Sequence, residues 1–184
     1  MYLQTNRLLL KNYVPTDGND YHQLRSCNEV WKYSTTLPNT DIAFIKSQLN
    51  ELIENQFTND TGFCALIEKA SGKYIGEAGI LSINHNVNRC VIGYNLLPAF
   101  WNKGYATEIA KALLAYAFTN LHLERVEALA MEKNTASCHV LEKSGLKREG
   151  TMRHFTIVDG EYSNVCYYGM IQSDFEFINN KKEI

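Results

Sequence analysis

The stretch VIGYNLLPAFWNKGYATEIAKALLAYAF, residues 91–118, decides the fold. Residues 91–97 are a short apolar run that reads as a buried strand. Pro98 ends it, because proline supplies no N–H to a ladder. Trp101-Asn102-Lys103-Gly104-Tyr105-Ala106-Thr107 then forms a turn of small and polar residues. After it Ala106, Ile109, Ala110, Leu113 and Ala117 recur at helical spacing. Strand, glycine-bearing turn and alanine-rich helix together make an anion site. The first N–H groups of a helix have no partner within it, and the helix dipole favours negative charge there. Gly104 removes a Cβ from the path of a ligand. A pyrophosphate is the ligand such a turn suits; an ordinary tight strand-to-helix turn is the reading without one. The chain has neither GxxxxGK[ST] nor GxGxxG, so a nucleotide P-loop and a dinucleotide fingerprint are both excluded.

Outward from this stretch the pattern alternates between strands and helices. Residues 7–14 read as a strand, and Thr16-Asp17 starts a helix to about residue 30. A helix over 41–56 carries Ile42, Ile45, Leu49 and Leu52 on one face. Strands follow at 62–68 and 73–83, with a hairpin at 85–88 leading into the fourth strand, 91–97. A fifth strand at 124–131 precedes a helix at 134–144, which Gly145 ends in a left-handed conformation. Asp159-Gly160 is a hairpin signal between two final strands. Residues 178–184 are polar and read as frayed. The order is β-α-α-β-β-β-α-β-α-β-β, a mixed α/β class.

With 184 residues the size prior is one domain, and a 45% hydrophobic share is enough for a packed core. A net charge of −2 provides no bulk field for nucleic acid. Cys27, Cys64, Cys90, Cys138 and Cys166 form no CxxC pair and no His/Cys cluster, which points away from disulfides and from metal. Reduced thiols in a cytoplasmic protein are the expectation. No apolar run approaches ~18 residues, so no membrane span is expected. No secretory signal is visible at the N-terminus.

Lys103-Gly104-Tyr105-Ala106 resembles the core of the coenzyme A loop of the GNAT superfamily of acetyltransferases, Arg/Gln-x-x-Gly-x-Gly/Ala. Trp101 stands at its first position, as in the branch resembling ribosomal-protein N-terminal acetyltransferases. Leu3-Gln4-Thr5-Asn6-Arg7-Leu8-Leu9-Leu10 resembles the opening strand of that branch. Gly93-Tyr94, Asn134-Thr135-Ala136-Ser137, Glu142-Lys143-Ser144-Gly145-Leu146, Glu149 to Arg153 and Asp159 to Tyr162 match its later motifs in order. The resemblance covers about residues 3–171 and implies a single domain, 1–184. It also implies a central, mostly antiparallel sheet, splayed between the fourth and fifth strands and flanked by helices.

The resemblance further implies acetyl-CoA as co-substrate, with no metal. Its pyrophosphate would meet the backbone of Asn102, Lys103, Gly104, Tyr105, Ala106 and Thr107. Its pantetheine would lie in the splayed gap against the backbone of Asn95, Leu96 and Leu97. Asn134 is placed as a helix N-cap, and in the family this asparagine also reaches the cofactor. A tyrosine in this helix commonly donates a proton to the leaving thiolate. Leu141 occupies that place here, and Ser137, one turn earlier, is the candidate to hydrogen-bond the sulfur; a spacer that lets cofactor pass is the alternative. Glu77 is the candidate base. Counting by two puts it on a strand face with Ile75, Leu81 and Ile83, where burial would raise its pKa. An edge or loop-facing glutamate is the other reading. His154 and Glu161 are alternative bases, and Asn164 replaces a common aspartate of the family.

The implied function is transfer of acetyl to a primary amine, first of all a protein N-terminal amine. A small-molecule amine, such as a polyamine or aminoglycoside, is the alternative, and a non-catalytic CoA-binding module is a third. No nucleic acid or membrane partner is expected. Tyr162, Tyr167, Tyr168, Phe175 and Phe177 suggest a homodimer through the last hairpin and tail.

Overall fold

The computed structural model describes residues 1–59 and 61–180. Its strands are β1 (Leu3–Gln4), β2 (Leu8–Lys11), β3 (Gly62–Glu68), β4 (Lys73–Asn84), β5 (Arg89–Leu96), β6 (Arg125–Met131), β7 (Lys147–Val158) and β8 (Glu161–Ile171). Its α-helices are α1 (Gly18–Arg25), α2 (Asn28–Trp31), α3 (Ile42–Asn59), α4 (Tyr105–Thr119), α5 (Thr135–Ser144) and α6 (Gln172–Asn180). The strands form one 8-stranded sheet in the order β1-β2-β3-β4-β5-β6-β8-β7. Neighbours are antiparallel except β5 and β6, which run parallel because the whole of α4 connects them.

The parallel pairing is short. It holds Arg89↔Arg125, Cys90↔Val126 and Val91↔Glu127, and then stops. Beyond it β5 continues along β4 as far as Leu96, while β6 continues along β8. The sheet therefore opens between residues 92–96 and 128–131, the splay expected between the fourth and fifth strands.

Each face of the sheet has its own core. One face packs Ile75, Ile80, Ile92 and Tyr168 against Ile109, Leu113, Phe118 and Leu141 of α4 and α5. The other packs Ala65 and Tyr74 against Tyr21, Leu24, Trp31, Ile45 and Leu49 of α1–α3. Both helical layers arise from apolar residues three and four apart, which share one side of a helix.

Several boundaries differ from expectation. The first strand is two short pieces, because a turn from Thr5 N–H to Leu8 O separates them. The first helix is broken after Arg25: Cys27 N–H bonds Leu24 O and Ser26 Oγ bonds His22 O, so the chain leaves the helix and restarts at Asn28. Ile42 is 46% exposed, so it is off the buried face that Ile45 and Leu49 share. Residues 178–180 belong to α6 rather than to a frayed end, and Ile178 packs on the core while Phe175 stacks on Phe118 at 4.9 Å. Residues 181–184 lie outside the described residues. Gly145 ends α5 at φ 104°, as its place after Ser144 predicts. The Asp159-Gly160 turn joins β7 to β8 with both residues at positive φ.

Candidate active site

The site begins where β5 ends. Pro98–Phe100 is a single 3-10 turn, and Gly104 at φ 78° is the N-cap of α4. Gly104 has no side chain to cap the helix, so the first N–H groups of α4 face an exposed turn, 102–104, with no side-chain acceptor. A Cβ at Gly104 would meet Arg7 Nη2 at 3.5 Å and would sit at a φ that side chains resist. Lys103 adds a cation 5.2 Å from the Phe100 ring. The Tyr105 side chain turns inward, bonding Glu68 through its hydroxyl, so only its backbone faces the turn.

A clamp from the opening strand fixes this helix start. Arg7 Nη1 donates to Lys103 O at 2.9 Å, and its Nε donates to Glu108 at 2.6 Å. Thr5 Oγ1 donates to the same carboxylate at 2.5 Å, and the Arg7 guanidinium lies 4.5 Å over the Tyr105 ring. Sequence reasoning missed this clamp, since its halves lie far apart in the chain. The Thr5-x-Arg7 spacing in the opening strand was the available signal.

At the splayed gap the sheet holds a cleft of about 280 Å³. Gly93, Tyr94 and Asn95 line it from β5, Ala128 and Leu129 from β6, and Ser137 and Leu141 from α5. Arg25, Trp31, Ser34, Thr36, Phe63 and Leu81 continue it on the α1–α3 side. Leu96 and Leu97 stand beside it with their backbones partly committed. Leu96 O accepts from Trp101 Nε1 at 2.7 Å, and Leu97 N–H donates to Ile75 O at 2.9 Å.

Glu77 lies one hydrogen bond behind the lining. Asn95 Nδ2 donates to its Oε1 at 2.9 Å, Arg25 Nη2 to both oxygens at 3.1 and 3.0 Å, and Tyr13 Oη to Oε2 at 3.3 Å. It is fully buried, neither an edge nor a loop residue. The face is not the one counted from the sequence. Register shifts at Leu66/Ile67 and Ile80/Ser82 change the parity, so Ile75 and Ile83 pack on the α4 side. Leu81 lies near Gly93, which pairs with Gly79 on Glu77's side. Burial pushes the Glu77 pKa up, against the pull of Arg25, Asn95 and Tyr13, and the net shift is upward. Arg25 is itself held between two rings, 4.7 Å from Tyr21 and 4.6 Å from Trp31. The i, i+4 spacing of Tyr21 and Arg25 was its signal in the sequence.

Ser137 reaches the cleft from the first turn of α5. Asn134 Oδ1 accepts its N–H at 3.1 Å, the N-cap expected there. The Ser137 hydroxyl lies 3.0 Å from the Tyr94 hydroxyl, a partner the sequence reading did not weigh. His154 and Glu161 are not in the lining. His154 stacks on Tyr162 at 5.1 Å, and Glu161 pairs with Lys133 at 3.2 Å on an exposed surface. Asn164 ties the last hairpin together, donating to Glu132 and accepting from the His154 N–H.

Residues 7–147 match the family described as the acetyltransferase (GNAT) domain. The chain belongs to the GNAT family. It is 28% identical over 173 residues to the uncharacterised N-acetyltransferase p20 of Bacillus licheniformis, covering 94% of this chain and 97% of that one. A spermidine N-acetyltransferase from Vibrio cholerae, solved with CoA and spermine, superposes with a TM-score of 0.82 at 21% identity, covering 94% of this chain and 99% of that one. A ribosomal-protein-S5-alanine acetyltransferase from Vibrio fischeri superposes with a TM-score of 0.82 at 17% identity, covering 95% and 98%. At those identities the two structures establish the fold. GNAT membership makes this chain an N-acetyltransferase with acetyl-CoA as donor.

The GNAT donor fits what the chain offers. The α4 start presents uncapped N–H groups beside Lys103, and the opened gap leaves room for a slender chain between β5 and β6. No group of three metal-binding side chains gathers among the described residues, and no disulfide joins any of the five cysteines. No helix among them is long and apolar enough to cross a membrane.

Proposed function

We propose that this GNAT enzyme acetylates the N-terminal amine of a peptide or protein. The observation that carries the reading is the charge of the cleft beyond the splay. Among the described residues, the lining on the α1–α3 side holds the Arg25 cation, two hydroxyls and the apolar Trp31, Phe63 and Leu81, and no carboxylate. Glu77, the carboxylate behind it, is fully buried and committed to Arg25 and Asn95. A polyamine carries several positive charges, each of which would face Arg25 without a free counter-charge. A peptide end brings one amine and a side chain that suits the aromatic and aliphatic walls.

In this reading the turn 102–107 binds pyrophosphate through its backbone, and Asn95, Leu96 and Leu97 border the pantetheine. Acetyl-CoA supplies an activated acyl group. Glu77 keeps the Asn95 amide and the Arg25 guanidinium in place. Its oxygens are occupied by their donors, so the proton lost by the amine passes to water rather than directly to Glu77. Ser137 faces the place where charge develops on sulfur, and Asn134 holds the helix turn that presents it.

Thiol release from acetyl-CoA with short peptides, spermidine and an aminoglycoside tests this reading. Peptides should exceed spermidine at least tenfold in kcat/KM. Preference for spermidine would move the assignment to polyamines, and CoA binding without turnover would leave a binding module. Intact-mass analysis of ribosomal proteins after incubation would then narrow a peptide acceptor.

A homodimer through the β7–β8 hairpin belongs to the same reading. Phe155, Ile157 and Tyr162 are 57%, 54% and 65% exposed there. Tyr168, in contrast, is fully buried, and Phe175 is half-buried against Phe118. Sedimentation showing only monomer at tens of micromolar would remove the dimer.

A further inference from the structure

Leu141 stands in the cleft wall where many members of the family place a tyrosine, but a phenol enters the same cleft from the opposite wall. Tyr94 lies on β5, three residues past the last pair that joins β5 to β6. Its register partner Ala78 faces the α4–α5 side, so Tyr94 points toward α5 while Asn95 faces Glu77. The Tyr94 hydroxyl is 3.0 Å from Ser137 Oγ and donates to Ser137 O at 3.3 Å. Tyr94, Ser137 and Leu141 all line the gap. The hydroxyl pair thus spans the opening between β5 and the first turn of α5, and the cap from Asn134 fixes that turn. Burial pushes the Tyr94 pKa up to about 12, with the Ser137 hydrogen bond pulling the other way, so the phenol keeps its proton at neutral pH.

We propose that Tyr94 is the proton donor to the sulfur that departs during acetyl transfer, with Ser137 holding its hydroxyl in line. The inference rests on the acetyltransferase reading above. In the step, the amine nitrogen bonds to the carbonyl carbon and the carbon–sulfur bond breaks, its electron pair going to sulfur. Sulfur takes the Tyr94 hydroxyl proton. The nitrogen releases a proton to water, and water returns one to the phenolate, so thiol and amide form and the tyrosine is unchanged. A neutral phenol gives little to the resting thioester and more as charge gathers on sulfur, which is the differential binding that accelerates a step.

Full-length Tyr94→Phe removes only the hydroxyl and keeps the ring. We expect its CoA affinity by calorimetry to stay within about twofold of the parent and its KM for amine to hold, while kcat falls about tenfold or more, at least the loss of a hydrogen bond to a charged group and up to the larger loss of a general acid. Adding Ser137→Ala to Tyr94→Phe should lower kcat less than twofold further, because the two hydroxyls act as one unit. Unchanged kcat in Tyr94→Phe would overturn the assignment. Equal losses in kcat and CoA affinity would assign Tyr94 to packing instead, and a fully additive double variant would separate it from Ser137. A parent that binds CoA yet acetylates no amine would overturn the acetyltransferase reading and this inference with it; an active parent with an equally active Tyr94→Phe overturns this inference alone.

Discussion

In the proposed donor site Gly104 would contribute more than any side chain around it. Its φ of 78° turns the chain into α4, and the bare Cα leaves the first N–H groups open. Gly104→Val should weaken CoA about tenfold or more, ~1.4 kcal/mol, in a calorimetric titration of the folded variant. Equal affinity would move the pyrophosphate elsewhere. Glu77 is the opposite case, a residue whose type was legible but whose surroundings were not. Counting by two through β4 fails wherever a strand gains a residue, and two register shifts moved Ile75 and Ile83 to the other face. The partners Arg25, Asn95 and Tyr13 lie 52, 18 and 64 residues away, beyond any local pattern. Removing one member of a buried pair leaves the other charge stranded. Glu77→Gln should therefore lose ~3–5 kcal/mol of folding stability in urea unfolding. A loss below about 1 kcal/mol would show that Arg25 finds water or another partner.

At the scale of elements, the regular pieces were legible because each has its own period and its own stop. β3 runs over Gly62–Glu68, the range its apolar block predicts, and α4 follows directly from the glycine turn. The breaks at Thr5-Asn6 and Ser26-Cys27 were not, since neither contains Gly or Pro and each is made by hydrogen bonds to residues two turns of chain away or less. α5 is where an element and the site meet. Its N-cap, Asn134, holds the N–H of Ser137, so the cap and the cleft lining share one hydrogen bond. Asn134→Ala should cost about 1 kcal/mol in thermal or urea unfolding, the usual value of a lost cap. Asn134→Asp, which keeps an accepting oxygen, should recover most of that stability. If stability recovers while CoA affinity does not, Asn134 touches the donor as well as capping the helix. A thermal midpoint unchanged in Asn134→Ala would show that the cap adds nothing.

Across the whole molecule, charge is arranged so that acid undoes it. Burial pushes the Glu127 carboxyl upward, but Tyr167, Arg125 and Arg89 outweigh it and leave the pKa lowered. Arg125 also holds the Glu149 carboxyl low by hydrogen bond. A carboxylate whose folded pKa is lowered stabilises fully above its unfolded value, about 4.3, and that stability is lost as pH falls through the folded value. Urea midpoints should therefore drop below about pH 4.3, and Glu127→Gln should differ from the parent most at neutral pH and least in acid. A difference that grows in acid would reverse the assignment. The mostly antiparallel sheet and its splay were legible only through family resemblance, and the strand order not at all, because periodicity gives a strand its faces and not its neighbours. The brevity of the parallel pairing of β5 and β6 has a mechanical consequence. Only three residue pairs of ladder tie β5, and with it the β1–β5 half of the sheet, to β6 and the β6–β8 half along this border; α4, the Arg89–Glu127 ion pair and the bonds from Glu124 and Arg125 N–H to Asn88 O add to them. A ligand lying in the opening would act as a further rung between the halves and stiffen the border they share. Amide exchange at 92–96 and 128–131 should then slow on adding CoA, while exchange in α3, which contributes no described residue to the cleft lining, stays as it was.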